Sequence, residues 1–86
     1  MTAHNSKYLV IGSLACPYCV LAEELLQERG LNYSFNAYPF RSDAIVEAKR
    51  RYKRKTIPII ILMEGGSQTL IGGYDSLVEH LNETTV

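Results

Sequence analysis

The chain has 86 residues, of which 47% are hydrophobic and 21% charged, and its formal net charge at pH 7 is zero. This composition is ordinary for a soluble globular protein, and the balanced charge gives no bias toward nucleic acid or a membrane surface. No apolar stretch approaches the ~20 residues of a membrane-spanning helix. We predict one small domain over residues 1–86, no export signal in the polar N-terminus and a cytoplasmic location.

The first half of the chain alternates strand and helix patterns. Residues 1–6 are polar, and the apolar run at 7–11 predicts a first strand. A helix is predicted at 17–29, because apolar residues recur there at helical spacing. Its predicted core stripe consists of Leu21, Ala22, Leu25 and Leu26. The alternating pattern at 32–37 predicts a second strand.

The middle of the chain contains a second helix and a strongly apolar strand. Ser42 follows a turn at 39–41 and can cap a helix that ends at about Tyr52. The nearly continuous apolar run at 58–62 is typical of a central strand covered on both faces.

The last third of the chain combines a hairpin with a final helix. Residues 64–67 include two glycines and predict a turn into a returning strand at 68–71. The final helix is predicted at 75–82, with a capping box that begins at Ser76. The element order is β-α-β-α-β-β-α, and a right-handed crossover makes the first two strands parallel. The predicted fold class is therefore α/β, with a four-stranded mixed sheet flanked by three helices.

The only two cysteines, Cys16 and Cys19, lie in a CxxC motif where the first strand meets the first helix. No second CxxC or CxxH completes a metal site, so we predict a redox pair without a metal. Pro17 suits the first helical position. The N–H groups of the first turn, including that of Cys19, have no partner within the helix. We expect them to donate hydrogen bonds to the Cys16 sulfur and to favour its thiolate form. Cys16 is then the nucleophile, and the more shielded Cys19 is the resolving thiol.

Three motifs show that the sequence resembles the glutaredoxin family, of the dithiol type. They are the Cys-Pro-Tyr-Cys run at 16–19, the Thr-Ile-Pro run at 56–58 and the Gly-Gly-Tyr-Asp run at 72–75. They occur in the family's order, and the resemblance extends over about residues 7–81. It implies a thioredoxin fold, which agrees with the element order.

The resemblance also implies an activity and the residues that carry it. The activity is glutathione-dependent reduction of protein disulfides and glutathione mixed disulfides, with glutathione as co-substrate and a monomer as the active form. Cys16 and Cys19 are the implied catalytic residues, and the Ile57–Pro58 peptide bond is implied to be cis. The implied glutathione-binding residues are Tyr18, Ile57, Pro58, Gly73, Tyr74 and Asp75, the last two supplying helix N-terminal N–H groups to the γ-glutamyl carboxylate.

Two positions depart from the family pattern. Ser13 stands where glutaredoxins usually have Lys or Arg, and Ile45 stands where a Gln or Arg is usual; both normally hold the glycyl carboxylate of glutathione. Ser13 itself, Arg41 or the basic run at 53–55 could replace that contact. Six of the nine basic residues lie at 49–55, where they form either a solvated helix end or an electropositive rim for glutathione or an acidic protein.

Two alternatives remain open from the sequence. A glutaredoxin-like electron donor reduced by a thioredoxin reductase is favoured by Ser13 and Ile45. An iron–sulfur cluster carrier, with the cluster held between two subunits by Cys16 and glutathione, belongs to a different functional class. Pro17 argues against the carrier, because the family members that bind clusters commonly have a small residue there.

Overall fold

Four strands and three helices follow one another in the predicted order. The computed structural model describes the backbone of residues 6–84 and the side chains of residues 6–83. The elements are β1 (Ser6–Gly12), α1 (Pro17–Glu28), β2 (Tyr33–Ala37), α2 (Asp43–Tyr52), β3 (Ile59–Glu64), β4 (Ser67–Gly72) and α3 (Tyr74–Thr84). Ser6 already belongs to β1, one residue earlier than predicted, and residues 1–5 lie outside the described range.

The strands form one mixed sheet in the order β2-β1-β3-β4. β1 pairs in parallel with β2 and antiparallel with β3, and β3 pairs antiparallel with β4 across the turn at Gly65 and Gly66. The prediction of a central strand at 58–62 is confirmed, because β3 lies between two partners. Ile59 and Ile60 are completely buried on opposite faces of β3.

Each face of the sheet has its own apolar core. Ile60 packs with Leu26 of α1 and Leu77 of α3 in one core. Ile61 packs on the other face with Ile45 of α2. The two cysteines belong to this second core, so the redox pair is placed by the packing of α2 as well as by its own helix. Within the described residues, no helix is both long and apolar enough to cross a membrane.

Two details of the predicted helices are wrong. Leu21 is 40% exposed, and the buried stripe of α1 consists of Cys19, Ala22 and Leu26. Successive residues of a helix point about 100° apart, so Leu21 falls outside a stripe centred near Ala22. Ser76 does not begin a capping box, because it already lies inside the first turn of α3.

Gly73 is the residue at which the α3 hydrogen bonding starts. Its carbonyl oxygen accepts from the N–H of Leu77 at 3.0 Å, and the helix begins at Tyr74. The helix therefore starts directly after the two glycines that end β4. This brings the N–H groups of its first turn to the end of the sheet where the cysteines lie.

Candidate active site

Cys16 occupies the position just before α1, with Pro17 as the first helical residue, as predicted. Its extended backbone (φ −101°, ψ 114°) turns its carbonyl oxygen toward the first turn, where this oxygen accepts from the N–H groups of Cys19 at 3.1 Å and Val20 at 3.2 Å. Within the described part of the chain, the structure shows no N–H group of this turn donating to the sulfur of the Cys16 thiol. The sulfur instead donates to the carbonyl oxygen of Ile57 at 3.8 Å.

The two thiols are free and differ in burial. Cys16 is 7% exposed and Cys19 is completely buried, as the prediction of a shielded second cysteine requires. Burial, together with the hydrogen bond to Cys16, raises the pKa of Cys19 to about 12. Cys19 therefore keeps its proton at neutral pH, and Cys16 is the more exposed of the two cysteines.

Gly12 gives Cys19 the space that it occupies, a role that none of the sequence motifs indicates. Gly12 is the last residue of β1 and is buried. A Cβ atom added there would lie 3.1 Å from Cys19 Cβ and closer still to the Cys19 sulfur. The available signal is a glycine directly after an apolar strand and four residues before the first cysteine.

The Ile57–Pro58 peptide bond is cis, as the resemblance implies. It lies in the segment between α2 and β3, and both residues are buried. The Ile57 carbonyl that accepts from Cys16 is part of this segment. The Thr-Ile-Pro motif and the cysteine motif are therefore in direct contact, although they lie about 40 positions apart in the chain.

A cavity of about 530 Å³ opens beside the cysteine motif. All six residues for which the resemblance implies glutathione contacts line it, together with three others. The lining residues are Tyr18, Arg54, Thr56, Ile57, Pro58, Gly73, Tyr74, Asp75 and Ser76. The rings of Tyr18 and Tyr74 lie 5.9 Å apart at 38°, so the cysteine motif and the start of α3 meet across the cavity.

Ser13, Arg41 and Ile45 do not line this cavity. Ser13 is 2% exposed, and its Oγ accepts from the N–H of Ala15 at 3.1 Å while its carbonyl oxygen accepts from the N–H of Cys16 at 3.1 Å. These bonds shape the loop before α1. Ile45 is buried in the core, and Arg41 is exposed in the turn before α2. The structure thus does not bring Ser13 or Arg41 together with the other predicted binding residues.

The basic segment 49–55 divides between two environments. α2 ends at Tyr52 and Lys53 takes a left-handed conformation (φ 57°), so the chain turns back at this point. Arg50 pairs at 2.7 Å with Glu47 on the exposed face of α2. Of the six basic side chains, Arg54 alone lines the cavity. Most of the segment is therefore a helix end with cations that complement the helix dipole, and one residue belongs to the site.

The sheet order and the buried dithiol at a helix start define a class, the thiol oxidoreductases of thioredoxin fold. The fold resembles that of Francisella tularensis glutaredoxin 1 in a crystal structure with cacodylate, with a TM-score of 0.71 at 18% identity over 91% of this chain and 94% of that one. It also resembles buckwheat glutaredoxin in complex with glutathione, with a TM-score of 0.70 at 23% identity over 91% and 70% of the two chains.

Sequence comparison identifies the family within this class of thiol oxidoreductases. A Pseudomonas aeruginosa glutaredoxin is 34% identical over 62 residues, which are 72% of this chain and 69% of that protein. A family model described as the N-terminal domain of glutathione S-transferase matches residues 10–85. The chain therefore belongs to the glutaredoxin family, and its general role is that of a thiol oxidoreductase.

Proposed function

We propose that this protein is a glutathione-dependent oxidoreductase that reduces glutathione mixed disulfides and protein disulfides. The observation that carries the proposal is the contact of Cys16 with the carbonyl oxygen of Ile57, a residue that lines the cavity. A glutathione whose cysteine pairs with the Ile57 backbone would hold its sulfur beside Cys16. The cavity volume of about 530 Å³ suits a small ligand, and the glutathione complex of the buckwheat relative supports this choice.

Glutathione mixed disulfides need only the first cysteine. The Cys16 thiolate attacks the glutathione sulfur, the substrate thiolate leaves, and a Cys16–glutathione disulfide remains. A second glutathione thiolate attacks the glutathione sulfur of this adduct, so that oxidised glutathione leaves and the Cys16 thiolate returns. Because Cys19 keeps its proton at neutral pH, it competes weakly for the adduct and leaves time for the second glutathione.

Protein disulfides need both cysteines. The Cys16 thiolate attacks one sulfur of the substrate disulfide, and the other substrate sulfur leaves as a thiolate. Cys19 loses its proton and attacks the Cys16 sulfur, which releases the reduced substrate and forms the Cys16–Cys19 disulfide. Two glutathione molecules then reduce this disulfide in successive exchanges and leave as oxidised glutathione.

The experiment that tests the proposal is turnover of a glutathione mixed disulfide, coupled to glutathione reductase and NADPH. We expect wild type to be active, Cys16→Ser to be inactive and Cys19→Ser to remain active, because only Cys16 is needed. Activity of Cys16→Ser would contradict the assignment of the nucleophile. Absence of turnover by wild type would contradict glutathione as the reductant.

A second candidate is an electron donor reduced by a thioredoxin reductase. It is favoured by the burial of Ser13 and Ile45, because neither position supplies a charge to the cavity. Assays of wild type with each reductase distinguish the two candidate functions. NADPH oxidation with a thioredoxin reductase, together with weak glutathione turnover, supports the second candidate.

A further inference from the structure

Arg54 is the residue of the basic run at 53–55 that lines the cavity. Its Nη2 lies beside the two glycines that precede α3: a Cβ atom added at Gly73 would lie 3.7 Å from it, and one at Gly72 would lie 3.8 Å from it. The guanidinium therefore lies next to the two glycines that precede α3.

No contact within the described residues accounts for this position. Arg54 Nε is buried and has no hydrogen-bond partner among them. No described carboxylate pairs with the guanidinium, although Asp75 lines the same cavity. A buried donor without an acceptor is unfavourable. The position of Arg54 is therefore better explained by a ligand than by the stability of the fold.

We propose that Arg54 binds the α-carboxylate at the γ-glutamyl end of glutathione, an inference that rests on the proposed function. Arg54 would then determine specificity for thiols that carry a γ-glutamyl group. It would also supply the cavity with a positive side chain, which positions 13 and 45 do not.

The charges around the start of α3 explain why this end of glutathione is the one bound. Arg54 and Asp75 are of opposite sign and line one cavity without pairing with each other. The γ-glutamyl end carries an α-carboxylate and an α-amino group on one carbon, so it can satisfy both charges. The glycyl end carries a carboxylate alone, which Asp75 would repel.

The N-terminal end of α3 also attracts the carboxylate. The N–H groups of the first turn are free of helical partners, and the helix dipole favours a negative charge there. A carboxylate between Arg54 and this turn would accept hydrogen bonds from the guanidinium and from the N–H groups of the turn. A guanidinium can donate two parallel hydrogen bonds to one carboxylate, which an ammonium group cannot.

The test compares three thiol donors in the Cys19→Ser background. Mixed disulfides of 2-mercaptoethanol with glutathione, γ-glutamylcysteine and cysteinylglycine are each mixed with reduced protein, and formation of the Cys16 adduct is followed by mass spectrometry. The concentration dependence gives an apparent Kd and a limiting rate for each donor. Only the first two donors carry the γ-glutamyl group.

Arg54→Gln is expected to raise the apparent Kd roughly tenfold or more for glutathione and γ-glutamylcysteine, because a charge-assisted bond is lost. We expect less than a twofold change for cysteinylglycine and unchanged limiting rates, because Arg54 does not touch the reacting sulfurs. Arg54→Lys is expected to show an intermediate apparent Kd. The matched control is Arg51→Gln, which removes the same charge from the same basic segment outside the cavity.

Each other outcome has a distinct meaning. Equal apparent Kd values for wild type and Arg54→Gln would overturn this inference and leave the proposed function intact. Equal losses in Arg54→Gln and Arg51→Gln, or a loss with cysteinylglycine, would also overturn it. A Cys19→Ser protein that does not react with any donor would overturn the proposed function and this inference with it. Thermal unfolding of Arg54→Gln and Arg54→Lys establishes that both variants are folded.

Discussion

Cys19 and Gly12 show how single residues place two chemically identical thiols in different environments. Cys19 is completely buried under the end of β1, and Gly12 leaves it that space. Burial raises the pKa of the Cys19 thiol, while Cys16 remains at the surface edge of the site with 7% exposure. The difference in burial between the two thiols thus depends on the backbone of the neighbouring strand.

Replacing Gly12 with alanine is expected to destabilise the protein and to displace Cys19. The added Cβ would overlap the Cys19 side chain, and overpacking of this kind costs about 1–3 kcal/mol. Urea unfolding measures the loss of stability. The matched control is Gly66→Ala, because Gly66 has no heavy atom within 4 Å of an added Cβ. An equal, small effect of both substitutions would show that Gly12 does not constrain Cys19.

Hydrogen bonds fix both ends of α2, and the chain enters the cavity after its C-terminal end. Ser42 caps its start, where Ser42 Oγ accepts from the N–H of Ile45 at 3.3 Å. At the other end, Lys53 takes a left-handed conformation, and the N–H of Arg54 donates to the carbonyl oxygen of Lys49 at 2.9 Å. This reversal of the chain turns Arg54 toward α3. α2 thus places Ile45 in the core, and the turn at its end places Arg54 in the cavity.

Loss of the α2 cap is expected to lower stability without changing the chemistry at Cys16. Ser42→Ala removes the acceptor of the Ile45 N–H, which costs about 0.5–2 kcal/mol. Ser42→Asp retains an acceptor and is expected to recover most of this loss. Chemical denaturation measures both variants. Equal stability of Ser42→Ala and wild type would show that the cap contributes nothing.

The stability of the whole molecule depends on the protonation of Cys19, because this buried thiol is part of one of the two cores. In the folded protein, burial raises the pKa of Cys19 to about 12, from an ordinary value of 9.0. Below pH 9 the thiol is protonated in both the folded and the unfolded state. Between about pH 9 and 12 the unfolded chain loses this proton and the folded protein keeps it, so stability falls as pH rises.

We therefore expect reduced wild type to lose free energy of unfolding above pH 9 more steeply than Cys19→Ala does. The comparison with Cys19→Ala is needed because the pKa of Tyr8 is also raised by burial, and this affects both proteins alike. Urea unfolding at a series of pH values from 7 to 10.5 under reducing conditions makes the measurement. Parallel curves for the two proteins would contradict a raised pKa at Cys19.

Most of the fold was predictable because its signals are local. Hydrophobic periodicity, the glycine turn at Gly65 and Gly66 and the cap at Ser42 each depend on a few neighbouring residues, and the predicted elements end within two residues of those observed. The cap of α3 was misassigned because Ser76 and Glu79 fit the capping-box pattern in the sequence, although the helix begins at Tyr74. Leu21 was misassigned because a helical stripe can be drawn through several sets of apolar residues.

The sequence by itself determined the element order, the placement of Cys16 before the first turn of α1, and the motifs that the cavity later brings together. Tertiary structure decided which of the nearby polar residues serve the site. Arg54 reaches the cavity, whereas Arg41 does not, and Ser13 is used inside its loop. The physical reason is that these choices depend on distances between elements far apart in the chain, which arise only when α2 and α3 pack on opposite faces of the sheet.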